Sequence, residues 1–134
     1  MVTQGAVDAS ARPARALVVD DEREIRETLA EILELDGFSV DLAENGARAL
    51  ERARDTDYDL VLSDINMPAM DGMELYRQLR RLRPDLADSF VVLTGNLTSN
   101  AVQLFLDETG LPQIGKPFRP SEVRQAAAAR RRRT

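Results

Sequence analysis

Short apolar runs end on polar residues, at ALVV (16–19), LVL (60–62) and FVVL (90–93), and amphipathic stretches at helical spacing separate them. That alternation predicts successive βα units and a mainly parallel sheet. Runs that are apolar at every position suit strands covered on both faces. Strands are expected at 16–20, 38–42, 59–63, 90–94 and 113–115, and the second, FSVDL, alternates as an edge strand would. Helices are expected at 24–35, from Asn45, after Asp71 and Gly72 as far as Arg83, at 99–108, and from Ser121 as a capping residue. Pro84 stops the third and Gly110 the fourth. The third is expected to bury Leu75, Tyr76, Leu79 and Leu82, and the second carries Ala47, Leu50 and Ala53 inward.

With right-handed crossovers, five such units predict one doubly wound α/β domain, a flavodoxin-like (βα)5 fold with strand order 2-1-3-4-5. The carboxyl ends of its strands point to one edge, where ligands of open α/β sheets bind. Asp20 and Asp21, Asp64, Thr94 and Lys116 all fall there. Acids, a hydroxyl and an ammonium suit a divalent cation and a phosphoryl group.

A chain of 134 residues fits one domain. Residues 1–15 read as a flexible leader, 16–129 as the domain and 130–134 as a basic tail, a solvated helix end complementing the dipole. The net charge of -5 argues against a nucleic-acid surface. With no cysteine there are no disulfides or thiolate-bound zinc, and a reducing, cytoplasmic setting is expected. With no histidine there is no Ser-His-Asp triad and no phosphohistidine on this chain. No apolar run approaches the roughly 20 residues that span a bilayer, so membrane insertion is not expected.

The motifs VVDDE (18–22), LVLSDINMPAMDGMEL (60–75), VVLTGN (91–96) and IGKPF (114–118), in this order, resemble the receiver domain of two-component response regulators. The resemblance implies that Asp64 is the phosphoacceptor and that the cofactor is Mg2+. Asp21 and Asp64 would ligate it directly, Asp20 directly or through water, and the backbone carbonyl of Asn66 would add another oxygen. Lys116 would pair with Asp64 or the phosphoryl oxygens, Thr94 would donate its hydroxyl to a phosphoryl oxygen, and the Lys116–Pro117 bond would be cis. The side chain of Asn66 would tune the lifetime of the phosphoaspartate.

The resemblance also implies a histidine kinase or phosphotransfer protein as donor, a downstream protein target, and a monomer or weak dimer. Such a module assists its own phosphorylation and dephosphorylation but turns over no separate substrate, so it is not classed as an enzyme. Many receivers carry Tyr or Phe three residues before the lysine, where this chain has Gln113. The stretch ETGLPQIGKPF (108–118) resembles receivers of hybrid histidine kinases, so a fragment of such a kinase is one alternative. The other is a Mg-dependent phosphatase of haloacid dehalogenase type, which requires an acid two residues past its nucleophile, where Asn66 stands. With no output domain after Arg133, the signal is expected to leave by partner binding or onward phosphotransfer, after Thr94 and the loop 95–99 shift the helix that follows.

Overall fold

A computed structural model describes residues 13–95 and 99–131. Its elements run β1 (Arg15–Val19), α1 (Arg23–Leu35), β2 (Ser39–Ala43), α2 (Gly46–Asp55), β3 (Leu60–Asp64), α3 (Gly72–Leu82), α4 (Pro84–Ala87), β4 (Phe90–Thr94), α5 (Asn100–Thr109), β5 (Gln113–Gly115) and α6 (Pro120–Arg131). The five strands are all parallel, in the order β2-β1-β3-β4-β5. The doubly wound α/β sheet is therefore as its sequence predicts, with FSVDL at an edge.

Neighbouring residues of each strand feed opposite faces of the sheet. Ala16, Val18, Leu60, Leu62, Val91 and Leu93 pack under α1 and α6, together with Leu29, Leu33, Val123 and Ala127. Leu17, Val19, Val61, Phe90 and Val92 pack under α2 to α5, with Leu50, Leu75, Leu79 and Phe105. The central strands are apolar at every position because both faces are roofed, and each fully buried leucine contributes about 1.5–3 kcal/mol. Tyr76 joins α3 to β4 and α5, meeting Phe90 and Phe105 edge-on with ring centres 5.2 and 5.6 Å away.

Helix starts follow local hydrogen bonding. Asn45 accepts from the Arg48 amide, Asp71 from Glu74, and Ser99 from Val102. Gly110 ends α5 at φ 66, a left-handed conformation that costs glycine little. Ser121 does not cap the last helix, which begins one residue earlier on Pro120, an acceptable first helical residue because its missing N–H would be unbonded there anyway. Glu122 reaches back to accept the Arg119 amide at 2.8 Å instead.

Two side chains expected inside lie outside: Leu82 is exposed because α3 ends beneath it, and Ala47 sits on the outer side of α2 beside buried Gly46 and Ala49. The one-turn helix α4 is too short to show a periodicity. Arg15, read as leader, opens β1, and Arg130 and Arg131 continue α6. The rest of the expected leader, 1–12, the remainder of the basic tail, 132–134, and most of the expected switch loop, 96–98, lie outside the described residues.

Candidate functional site

Strand ends bring the predicted side chains together. Asp20 follows β1 directly and is completely buried, and its Oδ1 accepts the Glu22 amide at 2.8 Å. Asp21, the next residue, is exposed. Asp64 is the last residue of β3 and is 4% exposed, and its Oδ1 accepts the Asn66 amide at 3.1 Å. Asp20, Asp21 and Asp64 each present a carboxylate oxygen within 4.8 Å of the others. Thr94 ends β4 between the tips of β3 and β5, 1% exposed, and its carbonyl accepts the Lys116 amide at 2.9 Å. The Lys116–Pro117 bond is cis.

The Lys116 Nζ lies 3.1 Å from Asp64 Oδ2, 3.2 Å from Asp20 Oδ2 and 3.8 Å from Glu22 Oε1. One ammonium thus serves several carboxylates. Burial alone would lower the Lys116 pKa, but the hydrogen bond and charge of Asp64, then those of Asp20, outweigh it and hold the amine protonated above its ordinary value. Asp20 moves upward chiefly through burial, with Asp64 adding to the rise, while the Glu22 amide and Lys116 oppose it. Its buried Oδ2 meets the Lys116 ammonium at 3.2 Å and shares that one cation with Asp64. Three carboxylates with an oxygen each within 4.8 Å of the others, with one ammonium shared between Asp20 and Asp64, form a donor set that fits a hard divalent cation such as Mg2+.

Backbone packing holds this geometry. A Cβ on Gly72 would lie 2.5 Å from the Asp64 carbonyl oxygen and 2.7 Å from the Ile65 Cα, so only glycine lets α3 start against the tip of β3. The Gly72 amide donates to the Ile65 carbonyl at 3.0 Å and locks the approach.

The response regulator receiver domain family matches residues 16–128. The chain belongs to that family. This receiver is 43% identical over 103 residues to a response regulator receiver protein of Anaeromyxobacter, covering 77% of this chain and 42% of that one. It is 38% identical over 122 residues to the response regulator MprA of a Mycobacterium, covering 91% and 52%. Against the transcriptional regulatory protein ResD of Bacillus subtilis it is 41% identical over 111 residues, covering 81% and 44%. The receiver spans about half the length of these curated relatives.

Among solved structures, chemotaxis protein CheY4 of Vibrio cholerae superposes with a TM-score of 0.79 at 28% identity, covering 89% of this chain and 99% of that one. A CheY-like receiver of Methanospirillum hungatei gives 0.80 at 28%, covering 88% and 93%. The family is that of the response regulators of two-component systems. No described helix is long and apolar enough to cross a membrane.

Two features of the receiver's site escaped the sequence reading. Arg26 reaches back from α1 to donate to the Asp20 carbonyl at 2.8 Å, a contact with no signature in spacing. The second was open to simple counting: Lys116 is the sole lysine among eighteen basic residues, the other seventeen being arginine. A compact ammonium can approach two carboxylates that a planar, forked guanidinium would bridge differently. Gln113, at the position where many receivers are aromatic, is exposed on β5.

Proposed function

We propose that this receiver accepts a phosphoryl group on Asp64 from the phosphohistidine of a cytoplasmic histidine kinase or phosphotransfer protein, and signals through an altered surface or by passing the phosphate on. The observation that carries this reading is the Lys116 ammonium, 3.1 Å from Asp64 and 3.2 Å from Asp20, inside a cluster of carboxylates.

In the transfer, an Asp64 carboxylate oxygen bonds to phosphorus as the bond from phosphorus to the donor's imidazole nitrogen breaks, and the imidazole keeps the electron pair. Both reactants are anionic, so the approach needs positive charge already in place. Lys116 supplies it to the phosphoryl oxygens, and the Thr94 hydroxyl donates to one of them. The nearly complete burial of Asp64 and Thr94 keeps the local dielectric low, which strengthens both interactions. Asp20, Asp21, Asp64 and the backbone carbonyl of Asn66 would hold Mg2+, which when bound neutralises further negative charge on the phosphoryl oxygens. Water returns Asp64 to its starting state: its oxygen bonds to phosphorus as the bond from phosphorus to the Asp64 oxygen breaks, the carboxylate keeps the electron pair and inorganic phosphate leaves, with Asn66 bearing on that step. No separate substrate is consumed, so the receiver acts as a signalling module and not as an enzyme.

Incubation with acetyl phosphate and Mg2+, followed by intact mass measurement, tests the chemistry. The mass gain of one phosphate is expected in the natural chain and absent in Asp64→Asn. A gain that persists in the variant moves the nucleophile elsewhere. Sustained turnover of a chromogenic phosphate ester would favour the phosphatase reading instead.

A further inference from the structure

Several arginines on this fold have partners. Arg15 pairs with Asp41, Arg23 with Glu27, Arg48 with Glu51, and Arg83 with Asp57 and Asp85, while Arg26 and Arg52 donate to main-chain carbonyls. Arg77, Arg80 and Arg81 differ. Three and four residues apart on α3, they share one helix face and repel one another. Among the described residues none of them joins an ion pair.

These arginines form one wall of a trough between α3 and α5. Its wider part, about 420 Å³, is lined by Tyr76 and Phe105, with Arg77, Arg80 and Arg81 on the α3 side and Glu108 on the α5 side. The Arg77 guanidinium lies 5.7 Å from the centre of the Phe105 ring. An adjoining hollow of about 350 Å³ shares Tyr76, Arg80, Glu108 and Thr109 with it and reaches Pro84, Ala87 and Asp88. Leu104, 60% exposed, stands one helical turn from Glu108 on α5. Counting its two carboxylates, Glu108 and Asp88, the trough keeps a positive balance on a chain of net charge -5.

We propose that this trough is a docking surface for an acidic amphipathic helix of a partner protein, with carboxylates three and four residues apart beside an aliphatic stripe. Carboxylates at that spacing match the Arg77, Arg80 and Arg81 stripe in register, and a guanidinium takes a carboxylate through two parallel hydrogen bonds. The aliphatic stripe covers the exposed Leu104 and lies over the floor of the trough, where Tyr76 and Phe105 are buried. Glu108 and Asp88 distinguish the trough from a nucleic-acid surface, because they would repel phosphates, whereas a helix can meet them with a basic or hydroxyl residue. The surface is separate from the carboxylate cluster, so binding is measurable on unmodified protein and stands or falls independently of the chemistry at Asp64.

The test uses a dye-labelled helical peptide with glutamates at that spacing along a leucine stripe, titrated with the full chain and followed by fluorescence anisotropy. Saturable binding is expected, weakening with added salt and falling roughly tenfold or more in R80E/R81E. R80Q/R81Q should give a smaller loss, and both variants should still gain phosphate from acetyl phosphate, which shows that they fold. Absence of saturable binding, or binding that charge reversal leaves unchanged, overturns the proposal. So does a single-stranded oligonucleotide that binds more tightly than the peptide and loses its affinity in R80E/R81E.

Discussion

Around the start of β1, Asp41 accepts hydrogen bonds from the Tyr58 hydroxyl at 2.6 Å and from Arg15 at 3.1 Å, and Asp59 accepts the Arg15 amide at 2.8 Å. At the opposite end of the sheet, Asp64, Asp20 and Glu22 crowd one ammonium, which the buried Oδ2 of Asp20 shares with Asp64. The first group is matched in its acceptors: each carboxylate has its own hydrogen-bond donor, although the buried Arg15 Nε has no partner among the described residues. The second carries surplus negative charge in a desolvated setting. Matched charges stabilise a fold, and crowded ones lower its stability while offering binding capacity to whatever relieves them. One sheet thus keeps its stabilising and its reactive electrostatics at opposite ends.

The sharpest test of that contrast is Asp64→Asn, expected to abolish the phosphate gain completely while leaving stability to urea unchanged or higher by about 1 kcal/mol. A clear fall in its urea midpoint would mean that the crowded cluster stabilises the fold after all. Next in size is Asp41→Ala, which strips a charge-assisted hydrogen bond and leaves the buried Tyr58 hydroxyl without its acceptor; urea unfolding should show a loss of about 2–3 kcal/mol.

Magnesium should act only at the reactive end. At tenfold excess over its Kd it should add about 1.4 kcal/mol to the natural chain and the same to Asp41→Ala, because distant sites add independently. Unequal gains would couple the two ends.

The smallest effect is that of pH on the matched end. For Asp41, burial alone would raise the pKa, but the Tyr58 hydroxyl and Arg15 outweigh it and hold the carboxyl below its ordinary 3.8. Its contribution is therefore present above that pH and fades as pH falls through the lowered folded value. Tyr58 is raised well above 10.0 by burial first and then by Asp41, so its contribution is present below pH 10.0 and is lost as pH climbs towards the folded value. In thermal melts across pH, Tyr58→Phe should flatten the alkaline decline. An unchanged profile would assign that decline to other groups.

The reactive end was largely legible in the sequence, and the matched end was not. Strand-terminal acids announce themselves when VVDDE, LVLSD and IGKPF each close an apolar run, because parallel strands deliver their ends to one edge. Nothing comparable marks Arg15, Asp41 and Tyr58, whose meeting depends on register across β1 and β2 and on a side chain preceding β3. The same limit applies to Arg83, which donates to the Ala53 carbonyl and pairs with Asp57 across thirty or fewer residues of chain. Helix termini lay between these extremes. Asn45, Asp71 and Gly110 declared themselves by residue type, whereas the start of α6 turned on Pro120 and Glu122 in place of Ser121.

That Lys116 has no other lysine for company makes the pocket its own spectroscopic address. Isotope supplied only as lysine would yield a single side-chain resonance, arising where the ammonium meets Asp64 and Asp20. Ion uptake, phosphate transfer and their reversal could then be followed through one peak, in crude mixtures and without mutating anything.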